Sequence, residues 1–250
     1  MKYWKQWIAA FVLACATAPA GATDIIVSAA ASLTNAFSDI GKEFEKVNAG
    51  HKVLFNFAGS GALLQQISRG APVDVFASAD QDTMDKALKQ NLIVRSSRAD
   101  FARNTLVLVV PAEGGTEIAD LSGLKDAGVA RIAISNPETV PVGKYSKGAL
   151  EAAGLWDAVK DKSVNTQNVR QTLDYVARGE VDAGFVYMTD AAVMPDKVKV
   201  LFEVPTKTPI TYPIAVAKGN GKERLALSFV EFVKTAPARA ILTKYGFLQP

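Results

Sequence analysis

The sequence predicts an α/β fold in two lobes, each built on a mostly parallel sheet with helices on both faces. Three observations lead there. From Asp24 onward, short apolar runs alternate with stretches whose apolar residues recur at helical spacing. Residues 105–110 are apolar almost throughout, as a strand buried on both faces would be. The last residues form two helical stretches with no strand after them, so the chain is expected to return to the first lobe before it ends. Crossings near residues 103 and 214 would divide it into one lobe of residues 23–102 plus 215–250 and another of residues 103–214.

The first strand, residues 24–29, leads to Ser32, which is placed to cap a helix carrying Leu33, Ala36, Phe37, Ile40 and Phe44 on one face. A second strand, residues 52–57, runs into Ala58-Gly59-Ser60-Gly61 and a short helix with Leu63, Leu64 and Ile67 that Gly70 closes. The third, residues 73–77, meets Ser78-Ala79-Asp80-Gln81, a capping-box pattern ahead of a helix with Met84, Ala87 and Leu88. Pro111 stops the strand at 105–110 because it lacks the N–H that a ladder needs. A strand at 131–134 gives way to the loop Asn136-Pro137-Glu138-Thr139-Val140-Pro141-Val142-Gly143 and a helix ending at Gly154. Asn168 caps a helix with Val169, Leu173, Val176 and Ala177, and Gly179 ends it before a strand over 181–187 that carries Tyr187 at its carboxyl end. Residues 210–217 form a further strand, ahead of one helix with Leu225, Phe229 and Val233 and another over 237–246, opened by Pro237.

At the N-terminus, Lys2 and Lys5 precede an apolar run over residues 7–14 and the small-residue stretch Ala18-Pro19-Ala20-Gly21-Ala22. This is the order of a secretory signal peptide cleaved before Thr23, and its apolar run is well short of the roughly 20 residues a membrane span needs. The protein is expected to be exported, with residues 1–22 set apart from the fold. The single cysteine, Cys15, lies in that segment, so the mature chain has no thiol, disulfide or cysteine metal ligand. Lipid attachment at Cys15 stays open, because Leu13 and Ala14 precede it. Without Lys2 and Lys5, 26 basic residues face 25 acidic ones, and no basic run remains to neutralise phosphates. That disfavours a nucleic-acid partner.

In open α/β sheets, ligands bind beyond the carboxyl ends of strands, where helix N-termini offer unpaired N–H groups to anions. Ser32, Ser60, Val142, Val169 and Tyr187 all fall at such places. Each also has a purely structural reading. Ser32 reads equally as a plain N-cap, Ser60 as a turn residue between glycines, and Tyr187 as a half-buried strand residue. Val142 and Val169 read alone are structural, since valine offers an anion only its backbone N–H. Gly59 and Gly61 would let the backbone approach a ligand closely and aim N–H groups at it.

The segments Ala29-Ala30-Ala31-Ser32-Leu33-Thr34, Phe57-Ala58-Gly59-Ser60, Val140-Pro141-Val142-Gly143-Lys144-Tyr145, Asn168-Val169-Arg170 and Val186-Tyr187 together resemble the periplasmic molybdate-binding proteins of bacterial ABC importers. Ala77-Ser78-Ala79-Asp80-Gln81, Met84-Asp85 and the closing Tyr245-Gly246-Phe247 extend the similarity over nearly the whole mature chain. The resemblance implies a class II periplasmic binding fold with molybdate or tungstate held between the lobes by neutral donors. Ser32 and Ser60 would supply hydroxyl and backbone donors, Val142 and Val169 backbone N–H groups, and Tyr187 its phenol. It further implies a monomer in the periplasm that uses no cofactor, catalyses nothing and hands its ligand to a membrane permease. Gly59 and Val142 depart from the serine and alanine common in the family.

Enzymatic readings find little to draw on. The mature chain has no cysteine and one histidine, His51, at the charged start of a strand, so a histidine-based triad lacks its parts. Ala58-Gly59-Ser60-Gly61-Ala62 is not the Gly-x-Ser-x-Gly nucleophile elbow, and neither nucleotide-binding glycine motif occurs. The competing readings that remain are a receptor for another oxyanion, sulfate or phosphate, and a ferric-ion binding protein of the same fold.

Overall fold

The computed structural model describes residues 23–219 and 221–250. The expected signal segment and Cys15 lie outside them. Strands β1 (Ile25–Ala30), β2 (Val53–Ala58) and β3 (Val75–Ala77) run parallel with β1 in the middle. Helices α1 (Thr34–Val47), α2 (Ser60–Ser68) and α3 (Gln81–Lys89) follow them in turn, before the edge strand β4 (Ala99–Asn104). A single residue, Thr105, separates β4 from β5 (Leu106–Pro111), which belongs to a second sheet.

That sheet continues through β6 (Ile132–Ser135), α4 (Pro141–Ala152), the one-turn α5 (Trp156–Val159), β7 (Ser163–Thr166), α6 (Val169–Ala177), β8 (Ala183–Tyr187), the short α7 (Met188–Ala191) and β9 (Val198–Glu203). The chain then goes back to the first sheet as β10 (Ile210–Val216) and ends in α8 (Glu223–Val233) and α9 (Ala236–Lys244). The strand orders are β2-β1-β3-β10-β4 and β7-β6-β8-β5-β9, five strands in each. The predicted two-sheet α/β architecture is therefore what the chain adopts.

The return crossing differs from the expectation near 214. Ile214 lies opposite Ala77 of β3 and Ile210 opposite Asn104 of β4, so β10 is wholly in the first sheet and the crossing falls within residues 204–209. Residues 103 and 104 likewise belong to β4, in the first sheet. An apolar run announces a buried strand but not which sheet it joins.

Packing explains the closing helices. Phe37, fully buried on α1, meets Phe101 of β4 and Phe229 of α8 at ring-centroid distances of 5.4 and 6.1 Å, which holds α8 over the first sheet. In the second sheet Val107, Leu108 and Val109 of β5 are fully buried, each burial stabilising by roughly 1.5–3 kcal/mol. Gly154 and Gly179 end α4 and α6 at φ of 69° and 66°, a conformation that only glycine adopts freely.

Two caps differ from the sequence reading. Ser32 lies inside a 3₁₀ turn, Ala31–Leu33, that leads into α1, and its side chain caps nothing; its hydroxyl turns instead to the Tyr212 phenol, 3.0 Å away. The α3 cap is Asp80, which accepts from the Thr83 N–H, while Ser78 donates to Asp80. A carboxylate satisfies the helix start and interacts with its dipole, which the hydroxyl two residues earlier cannot do as well. Asn168 caps α6 as expected, accepting from Arg170 and Gln171.

Candidate functional site

Five helix or turn starts converge between the sheets. The turn after β1 brings Ser32, the start of α2 brings Ser60, the start of α4 Val142, the start of α6 Val169, and the end of β8 Tyr187. All five predicted residues line one small cavity, and none is more than 3 % exposed. Drug-sized ligands need roughly 300–1,000 Å³, and the free space here, about 10 Å³, is far below that. Hydrophobic walls come from Ala30, Ala58, Ala79 and Val140, and no charged side chain is among the lining residues.

The polar groups that face the cavity are arranged as donors. The caps of α2 and α4, Gly59 and Val140, make no side-chain cap bond, so the first N–H of α2, on Ser60, and that of Val142 in α4 stay available to a ligand. At α6, Asn168 occupies the second and third N–H groups and leaves that of Val169. The Ser60 hydroxyl accepts from the Ala79 N–H at 3.1 Å, which leaves its proton to be donated. Tyr187 carries a fully buried hydroxyl with no hydrogen-bond partner among the described residues. Burial pushes both Tyr187 and Tyr212 well above the ordinary phenol pKa, so both keep their protons.

The glycines act differently from expectation. The Gly61 N–H is taken by the Thr139 carbonyl at 2.9 Å, across the gap between the two halves. A Cβ on Gly61 would lie 2.5 Å from that oxygen, and one on Gly59 would lie 2.9 Å from the Gln167 carbonyl. Their smallness lets backbone approach backbone, and Gly59 lines the cavity as well.

Sequence reasoning missed several groups that surround the cavity. Arg170 Nη2 reaches the Ser32 carbonyl at 3.4 Å, and its Nε lies 2.7 Å from Asp190 Oδ1 in an ion pair without hydrogen-bond alignment. Burial raises Asp190 to about 6 against the pull of Arg170. Asn104 and Tyr212 stand behind Ser32. Neither Asp190 nor Glu138 lines the cavity, and Glu138 is exposed.

This arrangement, a small cavity of neutral donors between two sheets, defines a solute receptor. The chain belongs to the bacterial extracellular solute-binding protein family, which it matches over residues 25–248. Among its relatives, Molybdate-binding protein ModA of Escherichia coli (strain K12) is 35% identical over 98% of this chain and 97% of its own. Molybdate-binding protein ModA of Haemophilus influenzae is 33% identical over 91% of each. The solved Azotobacter vinelandii periplasmic molybdate-binding protein superposes with a TM-score of 0.77 at 28% identity, covering 90% of this chain and 99% of that one.

Proposed function

We propose that the protein captures molybdate, and tungstate with it, in the periplasm and delivers it to the membrane permease of an ABC importer, working as a monomer with no cofactor and no catalysis. The observation that carries this reading is the buried Tyr187 hydroxyl, unpartnered among the described residues, on the wall of a cavity that otherwise offers neutral donors. Such a site suits an anion that accepts on every side. A dianion gains from converging helix starts without needing a countercharge. The cavity offers no carboxylate or imidazole to a bare ferric ion. The names of the relatives support the same ligand.

A thermal-shift series with molybdate, tungstate, sulfate, phosphate and ferric ion tests the proposal. At a hundredfold excess over Kd a ligand stabilises by about 2.7 kcal/mol, so molybdate and tungstate should raise Tm by several degrees. Sulfate should do so far more weakly, since a smaller ion leaves donors unpaired. A shift with iron and none with the two large oxyanions would remove the proposal.

A further inference from the structure

We infer that Asn104 and Tyr212 fix the direction of the Ser32 hydroxyl proton, making this serine an obligate donor and the site a filter against anions that carry a proton. The inference rests on the oxyanion reading and adds to it two residues that do not line the cavity. Both lie on strands that enter or leave the crossings. Asn104 is the last residue of β4, and Tyr212 sits on β10 where the register shifts before Pro213. An irregularity of this kind re-aims a side chain.

The direction of the chain follows from which groups can donate. The Thr105 N–H donates to Asn104 Oδ1 at 2.9 Å, which assigns the amide oxygen to that side. The amide nitrogen then faces the Tyr212 hydroxyl at 3.1 Å and Thr189 Oγ1 at 2.8 Å. An amide nitrogen only donates, so the phenol oxygen accepts there. Its own proton has Ser32 Oγ, at 3.0 Å, as the remaining partner. If Ser32 donated to Tyr212 instead, a fully buried phenol proton would be orphaned. Ser32 therefore accepts from Tyr212 and directs its own proton into the cavity. Ser60 is placed in the same way by the Ala79 N–H.

Molybdate, fully deprotonated, accepts both serine protons. Hydrogen phosphate brings a proton that needs an acceptor. A serine could take it only by turning its own proton away from the one acceptor available to it.

Asn104→Asp reverses the chain with almost no change of shape. The new carboxylate still accepts from Thr105, but it also accepts the phenol proton, so Tyr212 accepts from Ser32 and Ser32 presents a lone pair to the ligand. Affinities for molybdate and for phosphate, measured by titration at mildly alkaline pH, should show molybdate weakened by about tenfold or more and the molybdate-to-phosphate ratio narrowed by at least about tenfold. The added charge repels both dianions alike, so the ratio reports direction rather than repulsion. Asn104→Ala, which adds no charge and leaves room for water to take the phenol proton, should narrow the ratio as well. A native protein selective for molybdate, with the ratio unchanged in either folded variant, overturns the relay alone. A native protein that binds no oxyanion overturns the relay and the reading beneath it.

Discussion

Lys144, on the second turn of α4, places its ammonium 2.8 Å from Asp80 Oδ2, the carboxylate that caps α3 in the other half of the molecule. Asp82 lies 3.2 Å from the same nitrogen. Burial works against the lysine charge, yet the two carboxylates outweigh it and hold its pKa above the ordinary value. The contact joins the halves without touching the cavity. Lys144→Met should weaken molybdate binding by up to about fivefold, the value of a partly exposed ion pair of about 1 kcal/mol. Most of the change should be in the dissociation rate, and raised ionic strength should shrink it. Stopped-flow release at low and high salt checks both.

Tyr187→Phe separates binding from structure. The phenol has no protein partner to lose, so the ligand-free Tm should stay nearly constant. A hydrogen bond to a charged group is worth about 1.5–3 kcal/mol, so molybdate affinity should fall about tenfold or more. Calorimetry on the variant with unchanged affinity would take Tyr187 out of the site.

Gly61→Ala places a methyl group 2.5 Å from the Thr139 carbonyl. Overpacking of this kind costs about 1–3 kcal/mol, and here the cost falls on the approach of the two halves rather than on either half. Affinity should drop by about tenfold or more. The ligand-free melting temperature should move little, and a large drop in it would show that the glycine serves folding.

Asp190 supplies a pH test with a definite sign. Its folded-state value, about 6, lies above the ordinary carboxyl value of 3.8, so the native state holds this proton more tightly than the unfolded chain. Its contribution to stability is full at the acid end and is lost as pH rises from about 4 to about 6. Asp190→Asn cannot lose it. The stability of the variant relative to native should grow by up to about 3 kcal/mol over that range and then level off. Urea denaturation at several pH values measures the difference, and a flat difference would refute the assignment.

The five cavity residues were legible because each sits at a strand-to-helix junction or a strand's carboxyl end, places that local sequence marks with Gly59, Pro141, Asn168 or the end of an apolar run. What stands behind them was not. Tyr212 is 108 positions from Asn104 and reads as one more buried strand residue, and nothing local says that its hydroxyl meets Ser32. The strands β4, β7 and β9 passed unnoticed for a related reason. All three lie at sheet edges, where one side of the ladder is unpaired and the apolar signal is diluted by residues such as Arg103, Asn165 and Lys199. The glycines were read for approach to a ligand, but a loop some 80 residues away is what they admit: Gly61 meets Thr139.

The strand orders β2-β1-β3-β10-β4 and β7-β6-β8-β5-β9 are the same design used twice. One such sheet provides a turn or helix start after its outer strand and another after the strand beside it, which is half a cage. Ser32 and Ser60 occupy these positions in one copy, Val142 and Val169 in the other. A cage made of two self-sufficient halves is divisible. Its contents can enter and leave by parting the halves, with no hydrogen bond broken inside either sheet, and among the described residues the covalent restraint on that parting is Thr105 and the segment 204–209. What the protein recognises is thus written into two halves, while how fast it lets go is left to two short links and to contacts across the gap such as that of Lys144 with Asp80.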